Sequence, residues 1–289
     1  MRAALLLAAL LAGCASPPPA RFVVGDAYRM GGVWSYPRED FALVETGLAA
    51  RHTVAGWSAP TANGETWSDA RALAAHRTLQ LPAVVAVTNL QNGRTLLVRV
   101  NDRGPVNPGR VIGLSDRAAT LLGIPAGGTA QVRIAVDGER SRALAEAAPA
   151  AERPPLPIEA APRAAVAAES LDAPPGARSA APARTTQPVR QASAEPASRA
   201  PADTPLPETV AQSAPSPGRI MLEAGTLSRP DAAARLAARI LGARVEAFGP
   251  RRDQQYRVRL GPFDSVAAAD AALERTLAAG VSGARILVD

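Results

Sequence analysis

Three short stretches carry side chains suited to moving protons. Thr61-Ala62-Asn63-Gly64-Glu65 is a turn that bears a carboxylate. Ala74-Ala75-His76 places an imidazole after two small residues, eleven positions beyond Glu65. Val98-Arg99-Val100-Asn101-Asp102-Arg103-Gly104-Pro105 alternates apolar and polar residues as a strand does, then ends in an acid and a turn. Two carboxyls and a histidine at the mouth of a small β fold suit proton transfer on a neutral polymer such as a glycan. Asp102, Glu65 and His76 are therefore the candidate catalytic residues. Asn63, Asp69 and Arg103 flank them as candidate supports. The other histidine, His52, has no framing motif and is read as a surface residue.

Composition limits what can surround these residues. The 289 residues allow two small domains with linkers, and aromatics at 3% argue against one large core. The chain has no Lys, so its net charge of +6 is carried by Arg. A basic balance suits nucleic acid or an anionic envelope. No Arg-rich block interleaved with aromatics occurs, so no nucleic-acid partner is expected. A single Cys and two His exclude an internal disulfide framework and argue against a Cys/His zinc site, so no metal is expected.

Residues 1–13 read as a signal peptide, with Arg2 as its charged start and Ala3 to Leu11 as an apolar run too short to span a bilayer. Leu11-Ala12-Gly13-Cys14 resembles the lipobox of bacterial lipoproteins, which makes Cys14 the lipidation site. Ala15 and Ser16 then imply an outer-membrane anchor facing the periplasm. Residues 14–46 form an arm whose Tyr28, Trp34 and Tyr36 are expected to pack, extended, on the first domain. Residues 47–137 hold β-rich runs at Val84 to Thr88 and Thr95 to Val100, joined by a hairpin signal at Asn92-Gly93. A short helix capped by Ser115 and a last strand at Ala130 to Val136 complete a small β-barrel. Residues 138–217 are rich in Ala, Pro, Arg, Ser and Glu, and are expected to be a disordered linker. Residues 218–289 read β-α-β-β-α-β, a ferredoxin-like α+β sandwich. There Ser228 and either Asp264 or Ser265 are the expected helix caps. The fold class is thus mainly β plus α+β.

With the lipobox, TANGE, AAH, NDRGP and a C-terminal Tyr256-Arg257-Val258-Arg259-Leu260-Gly261-Pro262-Phe263 in this order, the chain resembles the RlpA family of septal peptidoglycan lytic transglycosylases. The resemblance implies a double-psi β-barrel followed by a SPOR domain that binds glycan strands stripped of their peptides. It implies cleavage between MurNAc and GlcNAc without water, with no cofactor. An acid protonates the leaving oxygen, and a base takes the C6 hydroxyl proton to close a 1,6-anhydro ring. Asp102 or Glu65 would supply that carboxyl, and His76 would orient a carboxylate or bind sugar. Glu223, Gln255, Tyr256 and Arg257 would bind glycan on the SPOR sheet, with Tyr256 and Arg257 on one face. The implied partners are peptidoglycan and, through Cys14, the membrane, with enrichment at the septum. Several positions depart from the family pattern. Ser68 and Gly113 stand where the family has Asp, and Arg51-His52-Thr53 replaces an aromatic Trp-Tyr-Gly. The lost acids leave a second expectation open, a catalytically degenerate glycan-binding tether.

Overall fold

Alternating side chains build the first domain. The structure, a computed structural model, describes residues 20–54, 60–148 and 206–289. Cys14 and the middle of the expected linker lie outside the described residues. Strands β5 (Ala83–Asn89) and β6 (Arg94–Asp102) pair antiparallel, with Val85 opposite Val98. The turn between them needs Gly93, which has φ +76° and lies so close to Ser213 that a Cβ would strike its carbonyl. Val85, Val87, Leu96, Val98 and Val100 are buried, as period-2 patterning requires.

Four more strands complete the wall: β3 (Val44–Arg51), β4 (Leu73–Ala75), β7 (Ile112–Leu114) and β8 (Thr129–Val136). Their order is β4-β7-β3-β8-β5-β6, and a β4–β6 pairing closes the ring into a six-stranded barrel. Pairs β3–β7 and β4–β6 are parallel and the others antiparallel. This closed barrel fits the double-psi architecture expected from the sequence. Helix α1 (Asp116–Leu121) seals one end. Its cap, Ser115, accepts from Ala118 N and Leu73 N and donates to the Arg71 carbonyl, so one buried hydroxyl ties β4 to α1.

The expected linker boundary at residue 138 is corrected. Gly138–Ala147 forms helix α2, capped by Asp137, and packs on β5. The Ser141 hydroxyl accepts from Val84 N and donates to Val84 O, which anchors that helix. Its Ala-rich sequence reads as linker, yet Ala is also the best helix former. Before the C-terminal domain, β9 (Ala211–Gln212) adds to the β6 edge.

The N-terminal arm is also corrected. It is a hairpin of β1 (Tyr28–Met30) and β2 (Val33–Ser35), not an extended strap. Tyr28 donates to the Arg77 carbonyl at 2.8 Å, and Arg77 reaches back to Met30 O and Ser35 Oγ. Trp34 and Tyr36 do not pack on the barrel; they are 52% and 67% exposed.

The C-terminal domain runs β10 (Ile220–Leu227), α3 (Pro230–Ala238), β11 (Arg244–Phe248), β12 (Gln255–Phe263), α4 (Val266–Ala278) and β13 (Arg285–Val288). Its antiparallel sheet has the order β11-β12-β10-β13, which is ferredoxin-like. Ser265 caps α4 by accepting from Ala268 N. Ser228 does not cap α3; Arg229 takes the N-cap position without a side-chain bond, and Pro230 starts the helix.

The two domains touch along β3 and β13. Thr46 Oγ1 donates to Val288 O at 2.5 Å. Arg110 binds both oxygens of Asp270, at 2.7 and 2.8 Å. Leu48, on the outer face of the barrel wall, is buried in the core of the C-terminal domain.

Candidate active site

Strand β6 sorts the site by alternation. Arg99 and Asn101 point one way, and Asp102 points the other. On the first side, Glu65 arrives from the 61–65 turn. That turn is closed by Thr61 N donating to Glu65 O at 2.7 Å, with Gly64 at φ +89°. Arg99 grips Glu65 through Nε, 3.0 Å from each carboxylate oxygen, and through Nη2 to Oε1 at 2.5 Å. Asn101 donates to Oε2 and Asn63 to Oε1, each at 2.9 Å. Burial raises the Glu65 carboxyl, but the hydrogen bonds and charge of Arg99, with Asn101 and Asn63, outweigh it and the net shift is downward. A carboxylate so saturated is a poor proton donor. Asn63 is one of the donors that fix Glu65.

Asp102 faces a different setting. Its Oδ1 accepts from Ala62 N at 2.9 Å and from Arg103 N at 2.8 Å. Its Oδ2 is 3.4 Å from His52 Nε2. The aspartate side chain is 16% exposed and the histidine side chain 8%. His52 is thus not a surface residue. It follows β3, and its N–H donates to Leu114 O at 2.7 Å, which carries it inward beside β7. Its ring meets Trp67 edge-on, with centroids 4.9 Å apart and an interplanar angle of 66°. The Trp67 indole donates to Asp69 Oδ1 at 3.0 Å, so Asp69 positions Trp67.

His76 turns away from both acids. Its backbone N–H donates to Asp102 O at 3.0 Å. Its Nδ1 accepts from Thr78 N and Leu79 N at 3.2 and 3.1 Å, which leaves Nε2 to carry the hydrogen. That atom lies 3.8 Å from Glu45 Oε2. The His76 imidazole holds the Glu45 carboxyl below its ordinary value against burial, with Arg285 and Arg38 assisting. Arg103 donates to Leu79 O and Val24 O, both at 2.5 Å, and so fastens the N-terminal segment to the barrel. Burial pulls the Arg103 guanidinium below its ordinary value, and Tyr28 and Asp102 oppose this.

Glu45 and His76 line a cleft of about 850 Å³ that no motif announces. Trp34 and Tyr36 of the hairpin form one part of it, and Glu223, Arg257 and Arg259 of the C-terminal sheet another. Glu223 pairs with Arg285 at 2.9 Å and Arg259 at 3.5 Å. Arg257 stacks on Phe248, 3.6 Å from the ring centroid. Gln255 shares the parity of Arg257. Tyr256 has the opposite parity and packs against the helix-side core, which corrects the expectation that it shares a face with Arg257.

Two family models match parts of the chain. Residues 47–134 match one described as lytic transglycolase, and residues 216–286 match the SPOR domain. A Pseudomonas aeruginosa protein named endolytic peptidoglycan transglycosylase RlpA is 37% identical over 267 residues, covering 84% of this chain and 70% of that protein. The chain belongs to the RlpA family. A Vibrio cholerae protein of the same name is 51% identical over 76 residues, covering 26% of this chain and 29% of that protein. A Campylobacter jejuni protein, again so named, is 41% identical over 117 residues, covering 38% of this chain and 41% of that protein. Within this RlpA-family chain, the barrel carries Asp102 and Glu65, and the SPOR sheet carries Glu223, Gln255 and Arg257.

Proposed function

We propose that this chain is a peptidoglycan lytic transglycosylase acting on peptide-stripped strands, with Asp102 as both acid and base. The carrying observation is the unequal treatment of the Asp102 oxygens. Two backbone N–H groups hold Oδ1, while Oδ2 has, among the described residues, only an imidazole beside it. A proton on this carboxyl therefore sits on Oδ2. As the C1–O bond breaks, Oδ2–H passes its proton to the departing GlcNAc oxygen. The resulting carboxylate then takes the C6 hydroxyl proton of MurNAc as the C6 oxygen bonds C1. Glu65 is left as a fixed anion that holds Arg99 and the 61–65 turn in place.

The SPOR sheet holds glycan through Glu223, Gln255 and Arg257, and the strand continues along the cleft past Trp34 and Tyr36. Exposed aromatic faces suit sugar rings, and the arginines suit the lactyl carboxylates of MurNAc. A lipid on Cys14 anchors the protein to the outer membrane, facing the periplasm, and SPOR binding concentrates it at the septum.

Mass spectrometry of amidase-treated peptidoglycan, after incubation with the protein freed of its lipid, tests this reading. Anhydro-ended glycans released by the protein and lost in Asp102→Asn are expected. No such product from the unaltered protein, with sacculus binding intact, would make it a tether instead.

A further inference from the structure

His52 is the group that the sequence leaves without a role. Its Nε2 approaches the one Asp102 oxygen that no backbone group of the described residues occupies. The approach of 3.4 Å is at the long end for a hydrogen bond, as is common before substrate closes a site. Room for the ring is made on two sides by the absence of side chains. A Cβ at Gly104 would lie 2.8 Å from His52 Cε1, and a Cβ at Gly113 would lie 2.9 Å from His52 Cβ. Trp67 packs against the ring edge-on. The ring is therefore confined in a slot that aims Nε2 at Oδ2.

Among the described residues the charged surroundings are few. Asp102 is the acid the ring meets, and Asp102 in turn lies in the field of Arg103 and the Tyr28 hydroxyl. Arg51, the neighbour of His52 in sequence, is turned outward to Asp116 and Ile124 O.

We propose that His52 is the positioning residue of the Asp102 acid, sharing one proton with it between Nε2 and Oδ2. This rests on the reading of Asp102 as acid and base. A free carboxyl is ionised above a pH of about 4, whereas a free imidazole keeps its proton to about 6.5. A carboxyl that must act as an acid in a neutral periplasm needs a neighbour that keeps a proton within reach. When the proton shifts from Nε2 to Oδ2, Asp102 becomes the neutral acid and His52 a neutral acceptor. Oδ2–H protonates the leaving oxygen as the C1–O bond breaks. Oδ2 then receives the C6 hydroxyl proton as the anhydro ring closes. The pair ends the cycle with the proton it began with, and no water or oxidant is consumed.

The test uses the full chain without lipid and two variants. His52→Gln keeps an amide of similar reach but cannot hold the extra proton. Gly113→Ala keeps the imidazole but crowds it out of its slot. The pH profile of kcat for anhydro-glycan release is measured for each. In His52→Gln the alkaline limb should move about one pH unit or more toward acid. Its kcat at pH 7.5 should fall at least about tenfold, with KM within about twofold. Gly113→Ala should shift the same limb in the same direction. Profiles of both variants that superimpose on the parent would overturn the pairing and leave His52 as packing. A second readout does not need turnover. The ring ¹⁵N shifts of His52, which report its protonation and hydrogen bonding, should change in Asp102→Asn, and unchanged shifts would also overturn the pairing. An inactive parent whose His52 signals still respond to Asp102→Asn would sink the enzyme reading and keep the pair.

Discussion

Arg99 and Glu65 form a two-pronged ion pair inside the barrel wall, with side chains only 4% and 8% exposed. The pair fastens the 61–65 turn to β6, and the same turn presents Ala62 N to Asp102. Glu65→Gln leaves the Arg99 guanidinium buried without its counter-charge. The expected loss is about 3–5 kcal/mol of folding stability at pH 7, read from urea melts. The pH dependence has a definite sign. Because the Glu65 carboxyl is held below its ordinary value, its contribution is full above the ordinary carboxyl range and is lost as pH falls through the lowered folded value. The parent should therefore lose stability on acidification below a pH of about 4.5 more steeply than Glu65→Gln does. Equal stabilities at pH 7 would show that the pair contributes nothing.

Much of this fold was readable because it is local. The runs at Val84 to Thr88 and Thr95 to Val100, the Asn92-Gly93 turn and the Ser115 cap depend on neighbours in sequence. The same holds for the β-α-β-β-α-β order. Residue types in short motifs, together with the family resemblance, point to Asp102, Glu65 and His76, but they could not assign their partners. Those partners come from barrel closure. The β4–β6 pairing sets His76 and Asp102 back to back, and the β3–β7 pairing swings His52 against the end of β6. Read along the chain, Gly113 looks like a lost acid and His52 like an unframed histidine. In the fold they are one feature, because the missing side chain at Gly113 is the space the imidazole fills. The shared face expected for Tyr256 and Arg257 fails for a simpler reason: they adjoin, and neighbours on a strand face opposite ways.

Asp270 answers a buried cation across the domain boundary. The Arg110 side chain is 8% exposed and donates to no other carboxylate among the described residues. Asp270→Ala should cost about 2 kcal/mol, the scale of hydrogen bonds to a charged group. Part of that loss should appear as looser docking of the SPOR domain, seen as faster proteolysis near residue 110. A melt and digestion pattern identical to the parent would show that the contact does not hold the domains together.

Ser115 is fully buried and serves three backbone groups at once. Ser115→Ala removes the α1 cap and leaves Leu73 N without the hydroxyl. A loss of about 1–2 kcal/mol is expected, because the cap goes and Leu73 N keeps only its 2.9 Å bond to Arg71 O. Thermal unfolding measures it. Since β4 leads directly into His76, hydrogen exchange should quicken at Leu73 to Ala75 before it does elsewhere in the barrel. Uniform exchange would argue that Ser115 only caps the helix.

Trp34 and Tyr36 separate a binding role from a folding one. Large aromatics left in solvent contribute little to stability, so Trp34→Ala and Tyr36→Ala should each change it by no more than about 0.5 kcal/mol. If the cleft holds sugar rings, each variant should still weaken binding to amidase-treated sacculi, by about fivefold to tenfold on the scale of one stacking contact. Arg257→Ala, across the same cleft, should weaken it as well. The double variant Trp34→Ala with Arg257→Ala reports whether they act on one ligand. Losses that simply add, in free energy, mean two independent contacts. A shortfall from additivity means that hairpin and SPOR sheet grip the same stretch of strand, because removing either already lets that stretch lift away. Unchanged binding in both aromatic variants would confine glycan recognition to the SPOR sheet.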